Sequence, residues 1–182
     1  MKRARIYLCF VVLLAVSTSV LVIGADFLKL SRTLPALAPV DERADKILIE
    51  KSERRLTLLR EGYVLKSYQA SLGRDPVGHK TQEGDGRTPE GNYFIDFKNG
   101  RSSYHLSLRI SYPDAADQTK AQARNISAGG DIMIHGLRNG LGWIGSYHLL
   151  RDWTDGCIAV TNSEIEEIWR LVDLNTTVEI RP

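Results

Sequence analysis

Asp152-Trp153-Thr154-Asp155-Gly156-Cys157-Ile158-Ala159-Val160-Thr161-Asn162 reads as a turn, a short apolar strand and the cap of a helix. Thr161 with Glu164 makes the Thr-x-x-Glu pattern of a capping box, with Asn162 as an alternative cap. Ile165, Ile168, Trp169 and Val172 follow at helical spacing and predict an apolar face turned toward a sheet. The turn carries Cys157, the one cysteine outside the N-terminal apolar run that holds Cys9. An exported domain with one thiol has no partner for an internal disulfide. Such a thiol is reactive, links to another molecule, or is an inert buried group.

Upstream, the strand pattern Asp131 to His135 ends on a histidine followed by Gly136. A thiol nucleophile needs a base for its proton and donors for the developing oxyanion. His135 is the candidate base, with a satisfied core histidine as the competing reading. Gly156 lets backbone N–H groups approach a substrate. The connection 137–154 holds Trp143, Tyr147, His148, Arg151 and Trp153, a composition suited to a substrate wall. Packing aromatics and a carbonyl-bonded His148 are the bland alternative.

Further out, the pattern is mostly strand. Lys46–Glu50, Arg54–Leu59 and Tyr63–Leu72 predict a meander, with Glu61-Gly62 as a hairpin turn. Arg74 to Gly91 is a loop rich in glycine and charge. Asn92–Phe97, Leu106–Ser111, Cys157–Val160 and Thr176–Ile180 are further strands. Residues 113–124 predict a short surface helix. The expected fold is mostly β, a sandwich or barrel, with one packed C-terminal helix.

At the N-terminus, Lys2, Arg3 and Arg5 precede a run from Ile6 to Ala25 without a charge. The run is long for a signal segment and just long enough for a hydrocarbon layer of about 30 Å. Residues 1–25 are therefore expected to be an inner-membrane anchor or, second, a signal cleaved near Gly24-Ala25, although Ile23 is not small. Both place the rest in the periplasm or cell envelope. Pro35 and Pro39 mark 26–44 as a linker, which leaves 45–182 as one domain, expected to be a monomer. Subtracting Lys2, Arg3 and Arg5 from 24 basic residues leaves 21 against 22 acidic ones. This balance excludes a basic nucleic-acid surface. The four histidines lack metal-ligand spacing, and no CxxC, HExxH or phosphate loop occurs, so no cofactor is expected.

Three segments in order carry a resemblance to the L,D-transpeptidase catalytic domain family. They are Thr88-Pro89-Glu90-Gly91 before a strand, Ile132 to Gly136 ending on histidine, and Thr154-Asp155-Gly156-Cys157-Ile158. The resemblance implies a β-rich fold and attack by Cys157 on a tetrapeptide stem of peptidoglycan, before its terminal D-alanine. It implies His135 as the proton carrier, with N–H groups of Gly156 and Cys157 on the oxyanion. It also implies a thioester resolved by an amine, in wall crosslinking or protein attachment, without metal or nucleotide. Gly136, Trp143, His148, Arg151, Thr154 and Asp155 are the candidate substrate contacts. Asp155 stands where most members have a second histidine, and Ala159 where many have an arginine. Arg138 or Arg151 would then supply the cation for a stem carboxylate, and His148 would stand in for the histidine. Two rival functions remain. One is hydrolysis of the same thioester, as an L,D-carboxypeptidase or amidase; the other is a catalytically silent wall-binding module.

Overall fold

The computed structural model describes residues 33–182. The expected anchor or signal over 1–25 lies outside the described residues. Among the described residues no helix is long and apolar enough to cross a membrane.

Strands β1 (Ala44–Glu50), β2 (Arg55–Arg60) and β3 (Tyr63–Gln69) form the antiparallel meander read from the sequence. Glu61 and Gly62 both have positive φ, 51° and 83°. That is the handedness a two-residue hairpin loop requires. Then come β4 (Gly91–Asn99), β5 (Ser107–Ile110), helix α1 (Ala115–Ala123) and β6 (Met133–His135). The chain ends in β7 (Ile158–Ala159), helix α2 (Asn162–Leu171) and β8 (Val172–Arg181). Thr161 and Glu164 make the reciprocal capping box at α2, and Asp114 with Asp117 makes another at α1.

The strands form one eight-stranded sheet in the order β3-β2-β1-β8-β4-β5-β6-β7. Two pairs in it, β1–β8 and β6–β7, are parallel. Strand β4 serves both halves: its first residues pair with β8 and its last with β5, with a register shift between Ile95 and Phe97. The sheet curls into a half-barrel, and one contact joins its ends. After β3 the chain returns to the free edge of β7. There Ser71 and Ala159 exchange backbone bonds of 2.9 and 2.8 Å. Thr154 N–H donates to Leu72 O at 3.1 Å, and Arg74 N–H donates to Thr154 O at 2.9 Å.

The core fills the concave face. Ile47, Ile49, Leu56, Leu58, Ile134 and Ile158 are fully buried. Ile165, Ile168 and Trp169 of α2 pack into the same cluster. Residues 38–43, assigned to the linker from sequence, lie against this unit. Ala38 is buried, its N–H donates to Arg170 O, and Arg43 is ion-paired with Asp173.

The closing contact leaves no room beside it. A Cβ on Gly73 would lie 2.1 Å from Gly86 O, a backbone atom, whereas one on Gly62 would meet nothing within 4 Å. Gly73→Ala is expected to cost about 2 kcal/mol or more through overpacking. Gly62→Ala should cost about 1 kcal/mol, for its backbone conformation alone. Denaturation midpoints in urea rank the two, and the reverse order would show that the closing contact is loose.

Candidate active site

Cys157 owes its position to the parallel pairing of β6 and β7. Ile134 is opposite Ile158 and His135 opposite Ala159, so the residue before β7 lies beside the start of β6. Met133 N–H points at Cys157 Sγ at 3.4 Å, and the thiol donates to Asp131 O at 3.6 Å. Asp131 presents that carbonyl from a left-handed conformation, φ 52°. The turn before the thiol is tied internally. Thr154 Oγ1 accepts the Gly156 N–H at 3.1 Å and donates to Cys157 O at 2.8 Å. Gly156 has φ 129°, and a Cβ there would lie 2.5 Å from Arg87 O. With its N–H taken by Thr154, Gly156 offers no free donor. The Cys157 N–H donates to no group among the described residues.

His135 is buried, 4% exposed, at the end of β6. Its Nδ1 is 2.6 Å from Gly136 O, and a carbonyl only accepts, so Nδ1 carries the proton. Nε2 is then the nitrogen with a free lone pair. Tyr104 lies against the ring at 4.7 Å between centroids, and Trp153 meets it edge-on at 5.8 Å. Both His135 and Cys157 line a cleft of about 380 Å³ with Tyr104, Trp153, Thr154 and Asp155. No hydrogen bond joins thiol and imidazole.

Burial holds the imidazole pKa down at about 4; the Gly136 carbonyl opposes this and the neighbouring His148 adds to it. Burial likewise pushes the Cys157 thiol above its ordinary value, with the Met133 N–H acting the other way. At neutral pH the pair rests as neutral thiol and neutral imidazole.

The remaining sequence candidates separate in space. Thr154 and Asp155 line the cleft, and Asp155 is ion-paired with Arg74 at 2.5 Å on its rim. His148 does not face the cleft. It is buried behind Trp153, with ring centroids 6.4 Å apart, and contacts Ser71 Oγ at 3.2 Å. It therefore occupies no position equivalent to a histidine at 155. Arg138 and Arg151 line a separate cavity beyond Trp153. Trp143 is 81% exposed and lines neither space. Gly136 lies behind His135, where a Cβ would meet Asn162 Oδ1 at 2.8 Å and Ile165 at 2.9 Å. Ala159 is fully buried in the closing contact. Sequence reasoning missed Tyr104, Asp131 and Arg74. Each comes from a segment distant in the chain, and none carries a local signal. Among the described residues no group of three or more His, Cys, Asp or Glu is placed to hold a metal ion.

Residues 44–180 match the YkuD family, described as the L,D-transpeptidase catalytic domain. The chain belongs to this family. YafK of Escherichia coli K12, a protein that carries the family's name, is 30% identical over 132 residues, 69% of this chain and 46% of YafK. The chain thus spans about half the length of the curated relatives it matches. Among solved structures, the helical cell shape determining protein Pgp2 of Campylobacter jejuni (K307A mutant) superposes with a TM-score of 0.59 at 22% identity. That match covers 84% of this chain and 52% of Pgp2. Bd1075 of Bdellovibrio bacteriovorus gives 0.53 at 22% identity, over 82% of this chain and 52% of its own. These two likenesses bear on the fold.

A histidine with a folded pKa near 4 and an unfolded value near 6.5 favours the fold only while neutral. That stability is fully present above about pH 6.5 and is lost as pH falls through about 4. The His135 imidazole signal, followed by NMR, should titrate near 4. A midpoint at 6.5 or above would show an open ring or one paired with a thiolate.

Proposed function

We propose that this chain is an exported peptidoglycan L,D-transpeptidase that works through a thioester on Cys157. The observation that carries the proposal is the presence, on the lining of one cleft, of a thiol and a neutral histidine whose Nδ1 is occupied and whose Nε2 is not. Membership of the family supports the substrate class, a peptidoglycan stem peptide. The apolar run 6–25, with its basic head, supports export and an anchor in the inner membrane.

The chemistry follows from the neutral resting pair. A substrate carbonyl entering the cleft draws Sγ away from Asp131 O toward His135. Nε2 takes the thiol proton as the sulfur–carbon bond forms, so charge separates only along the reaction path. The Cys157 N–H stabilises the oxyanion, and the tied Thr154-Asp-Gly-Cys turn keeps that donor aimed. The imidazolium then protonates the nitrogen of the terminal D-alanine. The carbon–nitrogen bond breaks and the stem is left as a thioester. An incoming amine, deprotonated by the same nitrogen, attacks the thioester carbonyl, forms a new amide and returns the thiol.

Purified muropeptides bearing tetrapeptide stems test the proposal, with products read by mass. Wild type should release D-alanine and form crosslinked dimers. Cys157→Ser should form none while keeping its fold, since serine lacks a base strong enough to activate it. His135→Ala should slow turnover by about 10²–10⁴-fold, and His148→Ala by far less. D-alanine release without crosslinks would replace transfer by hydrolysis. No reaction at all would leave the silent wall-binding module.

A further inference from the structure

Beyond Tyr104 and Trp153, which it shares with the catalytic cleft, the molecule has a second cavity of about 590 Å³. We infer that this cavity is a peptide-binding compartment that reads a free carboxylate on the stem through Arg138 and Arg151. The inference rests on the proposed substrate class.

Charge is the first ground. Arg43, Arg54, Arg74 and Arg109 are ion-paired. Arg101, Arg124 and Arg170 make no ion pair among the described residues but line neither the catalytic cleft nor this cavity. Arg138 and Arg151 have no carboxylate partner among the described residues, and no Asp or Glu lines the cavity they share. Both are exposed, while His148 in the same lining is buried, so the arginines form the mouth and the histidine the floor. Two guanidinium groups on the lining of one cavity suit a carboxylate, which a guanidinium binds through paired, charge-assisted hydrogen bonds.

The floor supplies the second ground. The Ser71 hydroxyl has one proton, which it gives to His148 O at 2.9 Å. The His148 Nδ1–H therefore donates to Ser71 Oγ, and Nε2 is left as an acceptor. That Nε2 is buried with no partner, and so is the Trp153 Nε1–H. Buried polar atoms without partners are rare in native proteins. Each of these two has less than 1 Å² of accessible surface, so a peptide group reaches this acceptor and donor only after side chains of the lining move. Leu141, Tyr147 and Leu150, all exposed, share the rim with the arginines, and Ile144 is half-buried beside them. A basic and apolar rim over a polar floor suits a short peptide with a carboxylate.

The loop is built to hold this arrangement. Asn162 Oδ1 accepts the Leu137 N–H at 2.8 Å, and Gly142 leaves space for the same side chain. Arg138 O accepts the Leu141 N–H at 2.8 Å, which fixes the turn that carries the arginine. Gly145, with φ 53°, breaks the 3-10 segment Gly142–Leu150 so that its second part turns His148 inward and ends at Arg151.

The test uses the full chain as Cys157→Ala, which binds without turnover, and reads tryptophan fluorescence. The probes are a synthetic stem tetrapeptide with free carboxylates, the same peptide with them amidated, and a glycan fragment without stems. The free acid should bind about tenfold or more tightly than the amide, as loss of a charge-assisted contact implies. Arg138→Ala/Arg151→Ala should weaken only the free acid and erase the preference. Equal binding of acid and amide overturns the inference, as does a preference that survives in the double variant. So does no binding of either peptide, or glycan binding that is lost in the double variant. Thioester formation on wild-type Cys157 is read separately by mass. An enzyme that acylates free and amidated stems alike would retire this inference and keep the proposed function.

Discussion

Strand β7 is two residues long, and its place depends on being gripped from both sides. On one side it pairs in parallel with β6; on the other Ala159 exchanges hydrogen bonds with Ser71. A strand this short has no stability of its own. Gripped, it fixes Ile158 in the core and sets the register between His135 and the Cys157 turn. The same contact explains Ala159. The residue is fully buried in the closure, so a longer side chain there would displace core rather than reach the cleft. The departure from the family pattern at 159 and the tight closure are one feature.

The thiol and the imidazole rest uncharged. Burial drives thiol and imidazole toward their neutral forms together, and the hydrogen bonds around them maintain that state. The Gly136 carbonyl fixes the tautomer, the Asp131 carbonyl holds the thiol proton, and the Met133 N–H is ready for the sulfur once that proton leaves. Under the proposed mechanism such a pair develops its ions only when a substrate carbonyl supplies an acceptor for the sulfur's electrons. Asp155 fits this design. Although paired with Arg74, it pushes the thiol pKa further up, as Asp131 does, and so favours the neutral resting sulfur.

Local features of the fold were legible in the sequence. The β1–β3 meander follows from alternating apolar residues around Glu61-Gly62, and α2 from a capping box ahead of Ile165, Ile168 and Trp169. What the sequence hid is long-range. The parallel pairs β1–β8 and β6–β7 and the Ser71–Ala159 closure join segments with no shared local pattern. The 137–154 connection looked like a continuous wall. A 3-10 segment kinked at Gly145 divides it instead, leaving Trp143 outside and His148 inside. The proposed nucleophile and base, Cys157 and His135, stood out because thiol and imidazole are scarce and adjoin glycine. Tyr104 and Asp131 shape the cleft but belong to ordinary residue types, so only the fold identifies them.

The central claim is that Cys157 is an acylable nucleophile whose thiol is activated on demand. A carbapenem-type β-lactam tests it without any acceptor, because its strained amide reports the first half-reaction alone. Intact-protein mass should rise by one inhibitor mass in wild type and stay unchanged in Cys157→Ser. A folded wild-type chain that remains unmodified, with its thiol accessible to alkylation, would contradict the account.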